Sequence, residues 1–555
     1  VIASNGATSL QAGSLDNRSG TLQSAGTSSL SVTVAGALDN SAGLLVAGGS
    51  ATVQANDLTN TRGRVSAAGD LVLQARNGID NTEGVLVAAG ALRAGAKDVV
   101  NTRGVVQGGT VQLSASASLN NAEGEVSGTS ALDLTTGTLT NSGRLYTEGN
   151  LTVAATGTIA NSGVMAAQGS ASVHGSSLDS GSTSVLAGGL RRDGSMAAAG
   201  SLTVSADGSV RANGQNLAAG QLDIAGASVD LSGSVTEGQS VSLSAQGDVS
   251  TSDAEIRARS TLAVTGQSLS NQSGLLTANA IHVGARSVNN AGGEVVQTGT
   301  SSTQLTGLTV LNNAGGRIAT NGTDLTVGAD TLVNTGGRIE HAGRGTLTLE
   351  SSRIDGSGGS VIGNGLLQVR AGDVTWDGGT VSADRLALSA SSLSNRGGQV
   401  LQTGLGTAQL QVTGALDNTG GTVAGNGGMT LSSGSLDNTR GTVQAVGSGG
   451  LHVTTTAALT NAEGRVSTSG PLTVRAGSTL NNDRGELLAG QTLTVQAGAL
   501  GNTRGTIQNG AGALDVAVTG ELGNTSGSIV SAGALDVRAG RLTNNAPAAR
   551  ETEPR

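Results

Sequence analysis

Apolar and polar residues alternate along this chain in short runs, and the same order of runs restarts after 20 or 21 residues over much of its length. One unit, from Leu58 to Leu73, reads Leu-x-Asn-x-x-Gly-x-Val-x-Ala-x-Gly-x-Leu-x-Leu. Alternation places successive side chains on opposite faces of a strand. Gly63, Gly69 and Gly78 separate the runs, and we expect them to supply the positive-φ turns. Strands this short cannot bury a face alone, so the pattern predicts an all-β solenoid of stacked units.

The Asn of the unit marks one corner of each predicted coil, and this corner can be followed along the whole chain. The corners are 19 to 23 residues apart with one exception, and 20 of the 26 are Asn. We therefore predict a parallel β-helix of about 26 coils with three short strands per coil. The predicted corners are Asn17, Asn40, Asn60, Asn81, Asn101, Asn121, Asn141, Asn161, Ser180, Ala212, Leu231, Thr251, Asn271, Asn290, Asn313, Asn334, Gly356, Trp376, Asn395, Asn418, Asn438, Asn461, Asn482, Asn502, Asn524 and Asn544.

The corner Asn follows an inward apolar residue by two positions, so its amide should also point inward, where it needs hydrogen-bond partners. Identical Asn residues one coil apart, at about 4.8 Å, can bond each other in a ladder. The alternative is a local Asx turn at each corner. We favour the ladder, whose most regular members are Asn40, Asn60, Asn81, Asn101, Asn121, Asn141, Asn161, Asn418, Asn438, Asn461, Asn482 and Asn502.

The repeat is least regular between Ser180 and Ser260. Ser180 and Ala212 lie 32 residues apart, and the corners that follow also lack Asn until Asn271. About a dozen residues are therefore inserted, and solenoid insertions emerge as loops that carry specificity on a rigid scaffold. The predicted organisation is one repeat domain over 1–545, regular at 1–179 and 261–545 and irregular at 180–260, then a disordered tail at 546–555. The candidate ligand loop is Leu190, Arg191, Arg192 and Asp193.

Two further features of the corners yield predictions. At Trp376 the ring occupies the Asn position, and it either fills a void beside Gly356 or lies exposed. The position before the turn Gly alternates in charge, so stacked coils should form exposed ion-pair ladders on one edge. These residues are Arg62, Glu83, Arg103, Glu123, and Arg440, Glu463, Arg484.

Composition narrows the possible functions. The chain has 91 Gly, 3 Pro and no Cys, so it has no disulfide framework, thiolate metal site or Cys nucleophile. Its net charge is −9 without a basic patch, which argues against nucleic-acid binding. No run of 18 apolar residues predicts a transmembrane helix. The first residue is Val and no signal-peptide pattern precedes it, so we expect a piece of a longer protein.

Candidate catalytic chemistry is sparse. We expect the four His residues to be solvated on the surface; His282 and His452 are eight coils apart and cannot share a metal. Some parallel β-helices cleave polysaccharides with clustered charges and aromatic rings, but this chain has almost no rings. Its densest charged group is Asp253, Glu255, Arg257 and Arg259, which we interpret as a solvated, self-paired face. We predict no catalytic residue, no metal site and no cofactor.

The segment from Leu38 to Gly48, Leu-Asp-Asn-Ser-Ala-Gly-Leu-Leu-Val-Ala-Gly, resembles the haemagglutinin repeats of filamentous haemagglutinins, which are large bacterial exoproteins of two-partner secretion systems. The resemblance covers about Leu15 to Asn545 and is weak between Ser180 and Ser260. It implies a right-handed parallel β-helix, export through an outer-membrane transporter, and an extended fibre at the cell surface. The family includes both adhesins and the stick proteins of contact-dependent growth inhibition.

We therefore expect a non-enzymatic stalk segment of a secreted bacterial surface fibre, associated with the outer membrane. Its 26 coils would give a rod of roughly 125 Å. Its expected partners are the outer-membrane transporter and receptors or glycans on host cells or other bacteria, with no nucleic acid and no membrane-spanning segment. The alternatives are the stick region of a growth-inhibition toxin and a carbohydrate-active β-helix enzyme.

Overall fold

The computed structural model describes residues 1–546, and these contain strands, turns and no helix. They form about 27 turns of a parallel β-solenoid, which confirms the predicted fold class. The described chain divides into two compact units, unit 1 at Val1–Ala285 and unit 2 from Arg286 onward. The tail predicted from residue 546 lies, apart from Ala546, outside the described residues.

Unit 1 contains the strands β1 to β34. In chain order they are Ile2–Ser4, Thr8–Ala12, Leu15–Asp16, Thr21–Ser24, Leu30–Val34, Ala37–Asp39, Leu44–Ala47, Ala51–Thr59, Arg64–Ala67, Leu71–Asp80, Val85–Ala88, Ala91–Val100, Val105–Asn121, Glu125–Asn141, Arg144–Thr147, Asn150–Ala155, Thr158–Asn161, Val164–Ala167, Ala171–Gly175, Ser177–Ser180, Val185–Gly188, Leu202–Ala206, Ser209–Ala212, Gln215–Ala218, Gln221–Gly226, Ser228–Asp230, Val235–Gly238, Ser240–Ala245, Asp248–Ser250, Glu255–Ala258, Thr261–Thr265, Ser268–Ser270, Leu275–Ala278 and Ala280–Gly284.

Unit 2 contains the strands β35 to β58. In chain order they are Ser287–Asn289, Glu294–Gln297, Thr303–Asn312, Arg317–Thr320, Leu325–Val333, Arg338–His341, Thr346–Asp355, Ser360–Thr375, Thr380–Ser394, Gln399–Gln402, Ala408–Asp417, Thr422–Gly425, Met429–Asp437, Thr442–Ala445, Leu451–Thr455, Leu459–Thr460, Arg465–Thr468, Leu472–Asn481, Glu486–Ala489, Leu493–Gly501, Thr506–Asn509, Leu514–Gly523, Ser528–Ser531 and Leu535–Thr543.

Each coil contributes one strand segment to each of three columns, which we call sheets 1, 2 and 3. Sheet 1 begins just after the Asn corner, as in Arg64–Ala67. Sheets 2 and 3 often share one bent strand, as in Leu71–Asp80, where a register shift separates the two segments. Within each unit the segments pair in parallel with the equivalent segments of the next coil; for example, Leu45 pairs with Val65 and Leu58 with Ile79. The three predicted strands per coil are confirmed.

The core of each unit is a set of apolar columns, because the inward residue of one coil lies directly on that of the next. In sheet 1 of unit 1, Leu45, Val65, Leu86 and Val106 are at most 1% exposed. Full burial of such a side chain contributes about 1.5–3 kcal/mol. Each coil can bury these residues only against its neighbours, so stacking itself creates the core.

The turn after the corner differs from our expectation. Gly63, Gly69 and Gly78 do not have positive φ; instead Arg62, just before the turn Gly, has φ 54°. The same position has positive φ in coil after coil, at Glu83, Arg103 and Glu123 among others. These non-glycine residues adopt the left-handed region that normally favours Gly, at a cost of about 1–2 kcal/mol each.

Candidate functional site

The corner Asn side chains form continuous hydrogen-bonded ladders inside each unit. In unit 1, Asn60 Nδ2 donates to Asn81 Oδ1 at 2.7 Å, and Asn81 Nδ2 donates to Asn101 Oδ1 at 2.7 Å. The same contact links each corner from Asn17 to Asn161. In unit 2 it links Asn290 to Asn334 and Asn395 to Asn544, in steps of 2.7–2.8 Å.

Most amides of the ladder also bind backbone carbonyl oxygens. Asn101 Nδ2 lies 3.1 Å from the Gly104 oxygen and 3.3 Å from the Glu125 oxygen of the next coil. Asn101 is fully buried, so these contacts replace the water that its amide would otherwise bind. The Asn ladder therefore joins consecutive coils at each corner that carries Asn between two Asn neighbours, and it fixes the register between those coils.

The turn Gly is required by the Asn ladder. A Cβ added to Gly104 would lie 2.1 Å from the Asn81 carbonyl oxygen and 2.5 Å from Asn101 Oδ1. Where the corner is Leu231 or Thr251, the equivalent turn positions are Ser234 and Ala254, which carry a Cβ. The Asn and the Gly are thus parts of one arrangement, and they are absent together in these two coils.

The corners without Asn use other groups. In unit 1, Asn161 Nδ2 donates to Ser180 Oγ at 3.0 Å, and Asn216 Nδ2 donates to the Ala212 carbonyl oxygen at 2.9 Å. In unit 2 the Trp376 ring is 1% exposed, and its Cδ1 would lie 2.7 Å from a Cβ at Gly356. Of the two alternatives for Trp376, the buried ring that fills the space beside Gly356 is therefore confirmed.

The insertion at 189–200 is held on the outer face of sheet 1. Leu190 and Met196 form an antiparallel bridge within it. Arg191 donates from Nη1 to the Met196 carbonyl oxygen at 2.7 Å. The Asp193 carboxylate accepts from the Ser195 backbone N–H at 2.9 Å and from Ser195 Oγ at 2.7 Å, and these bonds lower the pKa of Asp193. The insertion is thus a loop with its own internal hydrogen bonds.

Beneath the insertion lies Tyr146, which is fully buried although its position on β15 points away from the coil interior. It packs with Ala166 and Ala187 of the next two coils, and Leu190 of the insertion packs against this cluster. The Arg192 guanidinium lies 5.2 Å from the centre of the Tyr146 ring. Burial raises the pKa of the Tyr146 hydroxyl above its usual value of 10.

Two arginines lie over the Tyr146 ring. The Arg144 guanidinium lies 4.4 Å from the centre of the Tyr146 ring on β15, and Arg192 approaches from the insertion and pairs with Glu125 at 3.6 Å. Cation–π contacts contribute about 0.5–2 kcal/mol each. Of the predicted ligand loop, Leu190 and Arg192 face the sheet, whereas Arg191 and Asp193 bind within the loop. Its role in ligand contact stays a prediction.

Sequence reasoning did not identify Tyr146 as part of this region. Alternation placed the ring outside, and nothing in the pattern showed that a loop more than 40 residues later would cover it. One signal was present: Ala166 and Ala187 occupy the equivalent outward positions of the next coils, and small residues leave room for a covering segment.

A cleft of about 340 Å³ lies between the second half of the insertion and the outer face of sheet 1. Its walls combine apolar side chains with charged ones. Arg257 contacts Glu255 closely and lies 3.9 Å from Glu237, whereas Arg259 makes no ion pair with any described residue. The lining residues are Gly194, Met196, Leu217, Ala218, Glu237, Gly238, Arg257, Ala258, Arg259 and Thr277.

The edge ion pairs form in part. Glu83 lies 3.9 Å from Arg62 and 2.8 Å from Arg103. In unit 2, Glu463 lies 3.5 Å from Arg440 and 3.0 Å from Arg484. These groups of three confirm the predicted ladder, but Glu123 makes no ion pair within residues 1–546, so the prediction is wrong there. All these side chains are well exposed, and each pair is worth only about 0–1 kcal/mol.

The histidines divide into two classes. His174, His282 and His452 are exposed as predicted. The prediction is wrong for His341, which is 2% exposed and whose Nε2 donates to the Gly322 oxygen at 2.9 Å. Its position at the end of Arg338–His341 turns the ring inward. The described part of the chain has no group of three or more His, Asp or Glu placed to hold a metal ion, and no helix there could cross a bilayer.

Comparison with known proteins identifies the repeat. The family model described as Haemagglutinin repeat matches residues 1–42, 42–143, 109–190, 197–266, 342–420, 381–463, 452–525 and 509–546. The matches leave out residues 191–196, in the middle of the insertion, and residues 267–341. Deoxyribonuclease CdiA of Dickeya dadantii (strain 3937) is 35% identical over 181 residues, which cover 30% of this chain and 5% of that protein. No solved structure matches the chain.

Proposed function

Because the chain belongs to the haemagglutinin-repeat family, we propose that it is a non-enzymatic stalk segment of a secreted bacterial surface fibre that mediates adhesion to host cells or to other bacteria. Haemagglutinin-repeat solenoids are structural, and the repeats together with the similarity to CdiA imply a secreted, cell-surface protein. Within this proposal, the repeated coils provide reach, and the irregular coils with the insertion make the contact.

The observation that carries this proposal is the Asn ladder. From Asn17 to Asn161 every corner is satisfied by the next coil through the same bonds. A coil of this kind adds length and stiffness without adding an outward binding group. Such coils are equivalent, as expected of a spacer, whereas an enzyme depends on a few unique positions.

The proposed partners follow from the family. Two-partner secretion implies an outer-membrane transporter, and we propose that the fibre stays associated with the outer membrane after export. Parallel pairing with the preceding coil lets each new coil fold on the one already formed. Receptors or glycans on the target cell are the second class of partner that we propose.

A second candidate is the stick region of a contact-dependent growth inhibition toxin. The similarity to CdiA, 35% over 181 residues, favours it. Because the chain spans 5% of that relative, the nuclease activity in the relative's name is not proposed for these repeats. The full reading frame separates the candidates: a secretion domain upstream with a toxin downstream identifies the stick, and repeats alone favour the adhesin.

The stalk role predicts that whole coils are interchangeable. In the full-length protein on the producing bacterium, deletion of residues 82–101 joins Asn81 to Thr102 and removes one coil in register. We expect surface display and cell adhesion to persist. Deletion of residues 82–91 removes half a coil and is the matched control, which should abolish folding of the neighbouring coils. Loss of adhesion in both variants, with display intact, would contradict the stalk role.

The rival enzyme function is tested directly. The purified chain is incubated with a panel of polysaccharides and, separately, with host and bacterial cells. We expect cell binding without cleavage. Polysaccharide cleavage that is lost in Asp253→Ala or Glu255→Ala, but kept in the control Glu83→Ala, would identify a carbohydrate-active enzyme instead.

A further inference from the structure

One arginine of the cleft beside the insertion has no ion-pair partner among the described residues. The Arg257 guanidinium is shared by the carboxylates of Glu255 and Glu237, so it is not free to bind a further anion. Arg259, also in the lining, is exposed and makes no ion pair with the described residues. An arginine in this situation binds a carboxylate through two parallel hydrogen bonds. Because Glu237 lies in the same cleft, a group with a single negative charge fits better than a doubly charged phosphate.

Part of the wall of the cleft is aliphatic. Met196 of the insertion and Leu217 of sheet 1 are both half-buried, and each presents part of its side chain to the cleft. Met is flexible and polarisable, so it adapts to different apolar partners. No aromatic ring lines the cleft, and a sugar would lack the face on which it usually stacks. Aliphatic side chains are therefore the better match for this wall.

The first half of the insertion holds the cleft open. Leu190 packs on the Tyr146 cluster and Arg192 contacts the ring and Glu125. These contacts fix the base of the loop, so that Gly194 and Met196 stand above the sheet. A Cβ added at Gly194 would have no atom within 4 Å, so the cleft is open to solvent at this residue. A site that is already formed costs less ordering free energy when a ligand binds.

We propose that this cleft binds an acidic peptide segment of a partner protein, with its carboxylate on Arg259 and an adjacent aliphatic side chain against Met196 and Leu217. The volume of about 340 Å³ lies at the lower end of the range of ligand pockets and fits a few side chains. The inference rests on the proposed function in one respect, that contacts are made by the irregular coils.

The test uses the purified 555-residue chain and a displayed library of random short peptides. We expect enriched peptides to carry Asp or Glu beside Leu, Ile, Val or Met. A labelled peptide of the enriched sequence should bind about tenfold more weakly to Arg259→Gln, because a charge-assisted pair is lost. Met196→Ala should weaken binding about threefold through lost apolar contact. Arg64→Gln, an exposed arginine on sheet 1 of a regular coil, should bind as the wild type does.

The acidic peptide is compared with a neutral version of itself and with glycans, to show whether the site recognises a peptide carboxylate. The Asp or Glu of the enriched peptide is replaced by Asn or Gln, which should reproduce the loss seen in Arg259→Gln. Carboxylated glycans are tested in parallel. No enriched peptide, equal binding by Arg259→Gln, or binding of glycans alone would overturn the proposal. Because Arg259→Gln leaves the Asn ladder intact, surface display should not change, and failure of this proposal is separable from failure of the stalk role.

Discussion

The side chain at the corner is held differently in two groups of coils. The first group runs from Asn40 to Asn161 and the second from Ser180 to Ser260. In the first group a buried amide binds the identical amide of the next coil. In the second group Ser180 and Thr251 use hydroxyls, while Ala212 and Leu231 fill the corner with apolar groups. The insertion and its cleft lie on the second group. The coils without the Asn ladder are thus the coils that carry the insertion and the cleft on their outer face.

The comparison explains why the corners without Asn occur next to one another. An amide in a ladder needs a hydrogen-bonding partner on both sides, so replacing one Asn by a residue without a polar side chain leaves a neighbouring amide with an unpaired group. Asn395 shows the consequence: its predecessor in the stack is Trp376, and Asn395 Oδ1 has no partner in the described structure. Once one corner changes, its neighbours gain less from keeping Asn. The lapses accordingly form runs, Ser180 to Thr251 and Gly356 to Trp376.

The largest expected effect is from Gly104→Ala. Its Cβ would lie 2.1 Å from the Asn81 carbonyl oxygen, so the backbone must move and the ladder must break there. Overpacking and lost hydrogen bonds together should lower the local free energy of opening by about 4 kcal/mol. Hydrogen exchange of peptides from residues 90–125 measures this loss. The reciprocal change Ala254→Gly, at the same turn position, should cost only about 1 kcal/mol. Similar losses in the two variants would remove the link between Asn and Gly.

Asn101→Ala should cost about 3 kcal/mol, because it removes one buried amide with its backbone contacts, leaves Asn121 Oδ1 without its donor, and takes one of three acceptors from Asn81 Nδ2. In the irregular coils, Ser180→Ala should cost about 1 kcal/mol, since the Asn161 amide loses its partner there, whereas Ser184 Oγ loses Ser180 but keeps the Gly181 carbonyl oxygen. Hydrogen exchange over each site gives both values. Equal costs would mean that the Asn ladder adds nothing beyond single hydrogen bonds.

The regular coils were the predictable part of the molecule. Their periodic alternation and recurring Asn specify strands, corners and register, because every regular coil repeats the same strand order and the same hydrogen bonds at the corner. The left-handed backbone at Arg62 was not predictable, since a charged residue gives no sign that it will adopt a conformation normally left to Gly. The burial of His341 agrees with the alternation, since it follows the inward Ile339 by two positions; our expectation of a solvated ring rested on residue type and not on this pattern.

The candidate site was predictable only in its location. The extra length between Ser180 and Ala212 revealed the insertion, but no sequence pattern linked it to Tyr146 or placed Met196 and Arg259 in the same cleft. Those contacts depend on how a non-repeating loop folds back over several coils. Periodicity describes what stacked coils share and says nothing about a segment that occurs once.

Removal of the insertion tests the irregular region in isolation. Gly189 and Gly200 lie close together, with a Cβ at Gly200 only 2.5 Å from Gly189 Cα, so deletion of residues 190–199 leaves ends that can join. The variant should keep its β-structure, lose about 2 kcal/mol locally through exposure of Tyr146, and show a lower Tyr146 pKa. Because the chain has one Tyr, phenolate absorbance against pH reports this group alone.

The sign of this pH dependence follows from burial. Burial raises the pKa of Tyr146 in the folded chain, so folding favours the neutral hydroxyl. Its contribution to stability is present below about pH 10, the usual Tyr pKa, and is lost as the pH rises through the folded value. The deletion variant should show less of this alkaline loss. In the control Arg192→Ala the pKa should stay raised, because the ring remains covered; an unchanged pKa in the deletion variant would contradict the burial by the insertion.

The smallest expected effect concerns the left-handed turn position. In the regular coils Arg62 has φ 54°, whereas the equivalent position before Ser234 is Gly233, with φ 71°. Arg62→Gly should relieve about 1 kcal/mol of backbone strain. It also removes the exposed ion pair with Glu83, at 3.9 Å, whose lost stabilisation should be smaller than the strain relieved. We expect a net gain of about 0.5 kcal/mol in local stability by hydrogen exchange at low salt. Gly233→Arg should lose a similar amount. A loss in Arg62→Gly would mean that the charged edge, and not the Asn ladder alone, holds the regular coils in register.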